Sequence, residues 1–228
     1  MIRFVFLDLD DTLLDFQKAE ALAIERTVKQ FGIVFSDAVG TLFHRINAAQ
    51  WAELERGTLT RDELRVRRFK ILLETLGSDC DVKEASRCYE SNLGRGHYFL
   101  AGAETLLETL FGKYRLYLAS NGLTAVQKGR IASAHIARYF DAIFLSEQIG
   151  YAKPQKAFFD ACFAGIPDFD PAQAIILGDS LTSDIRGGIN AGIATCWYNP
   201  HGKSANGDTV PDYEIQALEA FPRLLETL

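Results

Sequence analysis

The first apolar segment of the chain is short and ends abruptly in acidic residues. Residues 4–7 read FVFL, and such an uninterrupted run of aromatic and branched side chains is typical of a strand buried on both faces. Residues 8–12 then read DLDDT, which places Asp8, Asp10 and Asp11 at the carboxyl end of the predicted strand. Open α/β sheets bind their ligands at that edge, so the pattern indicates a functional site directly after the first strand.

The following segment shows helical periodicity alone. Apolar residues recur at helical spacing in four stretches, which are separated by glycines or short polar turns. Thr60 and Glu63 have the spacing of a capping box at the start of the third stretch. The pattern predicts four consecutive helices with no strand between them, at residues 17–31, 38–56, 61–76 and 81–93.

From about residue 100 the pattern changes to alternating strands and helices. Strands are predicted at residues 114–120, 142–148, 174–180 and 194–199, with a further short strand near the end. Helices are predicted at residues 104–112, 124–138, 154–164 and 183–191, and the last residues are predicted to form a final helix. Strands that alternate with crossover helices form a parallel sheet covered on both faces.

These elements predict an α/β protein, namely a Rossmann-like parallel sheet with an inserted four-helix cap domain. Residues 1–16 and 94–228 are expected to form the α/β core, and residues 17–93 the helical cap. The insertion follows the first strand directly, next to the acidic residues.

Composition narrows the class of protein. Of the 228 residues 48% are hydrophobic and 24% charged, as in a globular protein, and the net charge of −6 argues against a nucleic acid polymer as partner. The four cysteines lack metal-site spacing, and no apolar stretch approaches the roughly 20 residues that span a membrane. Because Met1 leads directly into the first predicted strand, we expect no targeting segment. We therefore expect a cytoplasmic protein with no membrane partner, either a monomer or a homodimer.

Packing does not explain three carboxylates at one strand end. Clustered carboxylates repel one another unless a cation or phosphate chemistry requires them. We interpret Asp8 as a carboxylate nucleophile, and Asp10 as a general acid that then becomes a general base. The alternative interpretation is that Asp10 and Asp11 are turn residues that cap the next helix.

Later strand ends supply groups that bind phosphate. Ser120 ends the strand at 114–120, and with the backbone N–H groups around Asn121 it is a candidate to bind phosphate oxygens. Lys153 precedes a predicted helix, where it can neutralise both the phosphate and the Asp8 carboxylate. Taken alone, the first motif is also a common turn and the lysine a solvated side chain.

Two further carboxylates indicate a metal site. Asp179 ends the strand at 174–180, and Asp184 follows five residues later across the turn into the next helix. Oxygen ligands without histidine or cysteine favour Mg²⁺ over zinc. Asp184 alone has the alternative interpretation of a helix N-cap.

The order of these motifs resembles the haloacid dehalogenase superfamily of aspartyl-phosphate hydrolases. The matching pieces are DLDDT at 8–12, Ser120 in ASNG, Lys153 in AKP and GDSLTSD at 178–184. The resemblance implies that Asp8 is the nucleophile and Asp10 the acid and base. It implies that Mg²⁺ is held by Asp8, by Asp179 and by the backbone carbonyl of Asp10, with Asp184 adjacent. Haloalkanoate dehalogenases of the superfamily lack the second aspartate, so its presence points to phosphate chemistry.

A narrower resemblance lies in the predicted cap. Residues 44–69 look like the cap of the YjjG-type pyrimidine 5′-nucleotidases, a pattern matched here by Asn47, Trp51, Glu53, Gly57 and Arg68. Trp51 is a candidate to stack on a base and Asn47 to pair with a pyrimidine edge, with Arg68 as a third substrate-binding residue. A tryptophan on a helix is equally often a core residue.

We therefore expect a Mg²⁺-dependent phosphomonoesterase that acts through an aspartyl-phosphate, and we favour a nucleoside 5′-monophosphate as its substrate. One alternative is a phosphoglycolate or sugar-phosphate phosphatase of the same superfamily. The others are a regulatory protein that binds a phosphate ligand without turnover, and a phosphomutase. The preferred nucleotide stays open.

Overall fold

The computed structural model describes residues 1–205 and 207–228, which form two compact units. Residues 1–16 and 97–228 form the first, here called the α/β unit, and residues 17–96 form the second, the helical unit. Within the described residues, no helix combines the length and the apolar character that crossing a membrane requires.

The α/β unit is built on a parallel sheet of six strands among the described residues, in the order β3-β2-β1-β4-β5-β6. The predicted α/β, Rossmann-like fold class is confirmed. The strand order changes direction between β1 and β4, and ligands of such sheets bind where this happens. The strands are β1 (Phe4–Leu7), β2 (Arg115–Ser120), β3 (Ala142–Leu145), β4 (Ala174–Gly178), β5 (Ala194–Tyr198) and β6 (Tyr213–Ile215).

β1 lies in the middle of the sheet and is buried on both faces. Val5 and Leu7 belong to one apolar layer, whereas Phe4 and Phe6 belong to the other. Successive side chains of a strand point to opposite faces, so a strand covered on both sides needs an uninterrupted apolar run. This explains the sequence FVFL and fixes where the acidic residues after it emerge.

The helical unit contains the four predicted helices. Its core includes a cluster of three rings, Phe43, Phe69 and Tyr89, whose centroids lie 4.9 to 5.5 Å apart. The predicted capping box is present, because Thr60 and Glu63 exchange side-chain-to-backbone hydrogen bonds. The helices are α1 (Phe16–Gln30), α2 (Asp37–Glu55), α3 (Arg61–Thr75) and α4 (Val82–Leu93).

The remaining helices cover the sheet or follow its strands. A π-helical turn at Leu181–Ile185 connects β4 to the helix that follows it, and a 3₁₀ turn at Ala137–Tyr139 precedes β3. The helices are α5 (Ala103–Leu110), α6 (Thr124–Ser133), α7 (Ser146–Ile149), α8 (Lys156–Ala164), α9 (Arg186–Ala191) and α10 (Ala220–Leu225).

Two predicted elements extend more than two residues beyond their observed ends. The strand predicted at 142–148 ends at Leu145, because the next residues form the single turn α7, closed by Gly150 in the left-handed region with φ 87°. The Glu147 carboxylate in that turn accepts a hydrogen bond from the Thr124 backbone N–H at 2.7 Å, at the start of α6. The helix predicted at 124–138 ends at Ser133, since His135 has a φ of 56°, which an α-helix cannot accommodate.

Candidate active site

Three carboxylates converge at the carboxyl ends of β1 and β4. Asp8 follows β1, Asp179 follows β4, and Asp184 lies in the π-helical turn after it. One carboxylate oxygen from each residue lies within 4.8 Å of the other two. A glycine makes this approach possible, because a Cβ at Gly178 would lie 2.3 Å from the carboxyl carbon of Asp184.

The Lys153 ammonium is buried against this group. Its Nζ donates hydrogen bonds of 2.6 Å to Asp8 Oδ1, to Asp184 Oδ1 and to the backbone carbonyl of Ala119. The Asn121 side chain fixes the backbone that carries the lysine. Its Oδ1 accepts from the Lys153 N–H at 2.9 Å, and its Nδ2 donates to the Lys153 carbonyl at 2.8 Å. The side-chain amide of Asn121 thus supports the lysine, and substrate binding at Asn121, expected through the backbone N–H groups around it, stays a prediction.

Burial and mutual repulsion shape the charges of the site. Burial raises the pKa of Asp8 to about 7, although the Lys153 ammonium opposes that shift. Burial also raises the pKa of Asp179 to about 9, and the carboxylates of Asp184 and Asp8 add to it. Burial acts to lower the pKa of Lys153, but its two carboxylate partners outweigh burial and hold that pKa above its ordinary value.

The donor set fits a hard divalent cation. Three buried or half-buried carboxylates lie together, and the Lys153 ammonium pairs with two of them, Asp8 and Asp184, which leaves an excess of negative charge when all three are ionised. Oxygen ligands of this kind are those that Mg²⁺ takes in proteins. A bound dication would favour the charged form of each carboxylate and so offset the cost that burial imposes.

Two further side chains tie the strand ends together. Thr12 Oγ1 donates to Asp8 Oδ2 at 3.3 Å and accepts from the Asp179 N–H at 3.1 Å. The Trp197 indole, on β5, donates to the Asp179 backbone carbonyl at 2.8 Å. These bonds orient Asp8 and Asp179 without contributing a charge.

The Asp10 carboxylate has different partners. Its Oδ2 accepts from Gln127 Nε2 at 2.7 Å, and its Oδ1 accepts from the Arg130 guanidinium. Gln127 Nε2 also donates to Ser120 Oγ at 2.7 Å, and Ser120 Oγ accepts from the Gly122 N–H at 3.1 Å. Asp10 and Ser120 are therefore joined through one glutamine side chain.

Asp11 has a separate role at the start of the next helix. It has a left-handed backbone conformation with φ 57°, and its Oδ1 accepts a hydrogen bond from the Phe16 N–H at 2.9 Å. This agrees with the interpretation of Asp11 as a turn and capping residue.

The residues predicted in the cap lie within the helical unit. Asn47 is 2% exposed; its Nδ2 donates to Glu20 at 2.6 Å and its Oδ1 accepts from Arg68 at 3.1 Å. The buried Arg68 guanidinium also donates to Glu90 at 3.2 Å. Trp51 is half-buried on α2. Asn47 and Arg68 thus belong to one internal polar network, and nucleotide contact by them and by Trp51 stays a prediction.

Four residues of this site were not predicted from the sequence, namely Thr12, Gln127, Arg130 and Trp197. Gln127 and Arg130 carry a weak signal, because two polar residues three apart share one face of the helix that follows Ser120. Thr12 and Trp197 resemble ordinary loop and core residues, and their role appears once β1, β4 and β5 are adjacent.

Comparisons with known proteins agree with this geometry. The sequence model of the haloacid dehalogenase-like hydrolases matches residues 2–192. The chain is 37% identical to the pyrimidine 5′-nucleotidase PynA of Streptococcus pneumoniae, over 95% of this chain and 92% of that protein. It is 28% identical to the pyrimidine 5′-nucleotidase YjjG of Escherichia coli, over 97% of each chain. A crystal structure of YfnB from Bacillus subtilis, named a HAD-hydrolase and bound to magnesium, superposes with a TM-score of 0.93 at 37% identity and covers 98% of each chain.

Proposed function

The chain belongs to the haloacid dehalogenase-like hydrolases, and on that premise we propose that it is a Mg²⁺-dependent phosphomonoesterase acting through an aspartyl-phosphate on Asp8. The observation that carries the proposal is the convergence of Asp8, Asp179 and Asp184 at the carboxyl ends of β1 and β4, where the Lys153 ammonium pairs with Asp8 and Asp184. Such an arrangement is suited to a dianionic phosphate and a dication, because opposite charges alternate within a buried space.

Asp8, Asp179 and the backbone carbonyl of Asp10 are the proposed Mg²⁺ ligands, with Asp184 adjacent. When bound, the ion supplies positive charge that reduces repulsion between the phosphate and the attacking carboxylate. Asp184 also accepts from the Ser180 N–H at 3.1 Å and from Lys153, so its carboxylate is held in a fixed orientation.

The first step transfers the phosphoryl group to Asp8. A carboxylate oxygen of Asp8 forms a bond to phosphorus while the bond from phosphorus to the leaving oxygen breaks. Asp10 donates its proton to that oxygen, which leaves as an alcohol. Lys153 holds the Asp8 carboxylate at 2.6 Å and offsets charge on the transferring group.

The second step releases phosphate from Asp8. Water attacks phosphorus, the bond from phosphorus to the Asp8 oxygen breaks, and Asp10 takes the proton of the water. Ser120 Oγ accepts hydrogen bonds from Gln127 and from the Gly122 N–H, and these donors occupy both of its lone pairs. The hydroxyl proton of Ser120 is then directed elsewhere, which suits donation to a phosphoryl oxygen.

For the substrate we propose a nucleoside 5′-monophosphate, with pyrimidine nucleotides preferred, hydrolysed in the cytoplasm. The similarity to two pyrimidine 5′-nucleotidases extends over nearly the whole chain and supports this choice. In this proposal residues 17–93 are the cap domain that selects the nucleoside, and residues 1–16 and 94–228 are the catalytic core.

A phosphate-release screen with Mg²⁺ tests the proposal. The panel is dUMP, UMP, dTMP, purine monophosphates, phosphoglycolate and sugar phosphates, with Asp8→Asn as the inactive control. We expect the highest kcat/KM for a pyrimidine monophosphate and loss of turnover in the variant. A higher kcat/KM for phosphoglycolate or a sugar phosphate contradicts the substrate class. Turnover that persists in Asp8→Asn contradicts the mechanism.

A further inference from the structure

The Asp10 carboxylate is held on both of its oxygens by one helix. Gln127 and Arg130 lie three residues apart on α6, and each donates to a different oxygen of Asp10. The Arg130 side chain is fully buried, and its guanidinium lies 5.7 Å from the centroid of the Phe16 ring. Arg130 has no role in the mechanism given above, and Gln127 enters it only as a donor to Ser120 Oγ.

The orientation of the Gln127 amide follows from its neighbours. Its Nε2 carries two hydrogens and lies 2.7 Å from each of two oxygens, Asp10 Oδ2 and Ser120 Oγ. Its Oε1 faces Arg130 Nη1 at 3.4 Å. A flipped amide would place its oxygen against the Asp10 carboxylate, so the nitrogen must face it.

The space for this side chain depends on a glycine. A Cβ at Gly122 would lie 2.3 Å from Gln127 Nε2, which is closer than real Cβ contacts. The turn after β2 therefore leaves room for the amide that joins Ser120 to Asp10.

Two donors fix the orientation of the Asp10 carboxylate. One oxygen accepts from the Arg130 guanidinium and the other from the Gln127 amide, so the carboxylate cannot rotate without breaking a hydrogen bond. In the second step Asp10 takes a proton from water, and a general base must lie within hydrogen-bond reach of the proton that it takes.

We propose that Gln127 and Arg130 are positioning residues that hold Asp10 as the general base for hydrolysis of the aspartyl-phosphate; this inference rests on the proposed function. Without them Asp10 remains present but its carboxylate is no longer fixed. With a leaving group that departs without a proton, dephosphorylation of Asp8 then slows more than its phosphorylation, because only dephosphorylation needs the Asp10 carboxylate in place.

Single-turnover and burst kinetics with p-nitrophenyl phosphate test this. The p-nitrophenolate leaves without a proton, so phosphorylation of Asp8 does not depend on Asp10. Quenched flow measures the rate constants for phosphorylation and for dephosphorylation of Asp8, and the trapped aspartyl-phosphate is quantified. The proteins compared are the wild type, Arg130→Gln, Arg130→Lys and Gln127→Met. Arg138→Gln is the matched control, because Arg138 is exposed and bonds Tyr139.

We expect the ratio of dephosphorylation to phosphorylation rate constants to fall about 10- to 100-fold in Arg130→Gln and Gln127→Met, as for a displaced catalytic group. Trapped aspartyl-phosphate should rise, Arg130→Lys should recover part of the ratio, and Arg138→Gln should match the wild type. An unchanged ratio in a folded variant overturns the inference.

Two controls separate the possible failures. If Arg130→Gln does not fold by circular dichroism, Gln127→Met decides alone, since it retains the buried guanidinium. If the wild type forms no aspartyl-phosphate at all, the proposed function fails. If the wild type is active, Asp8→Asn is inactive and the variants leave the ratio of dephosphorylation to phosphorylation rate constants unchanged, only the proposed roles of Gln127 and Arg130 are wrong.

Discussion

Lys153 and Asp184 form an ion pair of 2.6 Å in which each side chain is 1% exposed. The same ammonium also bonds Asp8 at 2.6 Å, so one cation balances two buried carboxylates. Removing one partner of a buried pair is costly, because the other charge stays buried without compensation.

Lys153→Met is therefore expected to lower the free energy of unfolding by about 3–5 kcal/mol and to abolish phosphatase activity. Urea unfolding and phosphate release measure the two effects. Lys156→Met is the matched control, since Lys156 is exposed and pairs with Asp160 on the surface of α8. The control should change stability by less than about 0.5 kcal/mol. Equal effects of the two substitutions would show that Lys153 is not a buried counter-ion.

The stabilisation by Mg²⁺ should increase with pH. The pKa values of Asp8 and Asp179 are raised to about 7 and about 9, so the folded protein binds more protons than the unfolded chain above pH 3.8. Stability contributed by these groups is present at low pH and is lost as pH rises through their folded pKa values. A bound dication offsets the cost of burying these ionised carboxylates and also their mutual repulsion, which together cause this loss.

Thermal unfolding in Mg²⁺ and in EDTA at pH 5.5 and pH 8.5 checks this. The increase in Tm caused by Mg²⁺ should be larger at pH 8.5, and Asp179→Asn should reduce the difference between the two pH values. An increase in Tm that is equal at both pH values, or larger at pH 5.5, contradicts a metal site built on these carboxylates.

Gly178→Ala is expected to damage the site through Asp184. The added Cβ would lie 2.3 Å from the Asp184 carboxyl carbon, so the carboxylate must move. Overpacking of this kind costs about 1–3 kcal/mol of stability, and a displacement near 1 Å costs about 100-fold in kcat. Gly165→Ala is the control, because the nearest atom to its Cβ is a carbonyl oxygen at 3.6 Å. Wild-type kcat in Gly178→Ala would show that Asp184 need not occupy its position.

Trp51→Ala tests the substrate class. If Trp51 stacks on the base, its loss should lower kcat/KM for a pyrimidine nucleotide about 10-fold more than for p-nitrophenyl phosphate, which has no base. Trp51→Phe keeps an aromatic face and should retain most of the nucleotide activity. Equal losses on both substrates would mean that Trp51 only packs within the helical unit.

Groups that follow a strand directly were predictable from the sequence. Asp8 and Asp179 each follow a buried apolar run, and parallel strands bring their carboxyl ends to one edge. Strand ends alone do not show which neighbour a side chain bonds. Asp10 was expected to lend its backbone carbonyl to the metal and its carboxylate to acid and base catalysis, but the sequence did not show that this carboxylate bonds Gln127 and Arg130, more than 100 residues away along the chain.

Hydrogen bonds between segments that are distant along the chain accompany the other differences between prediction and structure. Asn121 is next to Ser120, but its amide bonds the Lys153 backbone, a pairing that depends on how two loops pack. The strand predicted through Gln148 ends at Leu145, and the next residues form α7, whose Glu147 accepts a hydrogen bond from the Thr124 N–H. Spacing along the chain does not identify Lys153 as the partner of Asn121, or Thr124 as the partner of Glu147.

The position of β1 in the sheet has a consequence for folding during synthesis. Its two neighbours are β2 and β4, which end at Ser120 and Gly178, so this apolar strand is made long before either partner exists. Asp8 meets Lys153 across 145 residues of chain. Contacts so distant along the chain form late and slowly. The FVFL strand therefore stays unpaired on the ribosome while the helical segment is made, a stage at which chaperone binding should matter most.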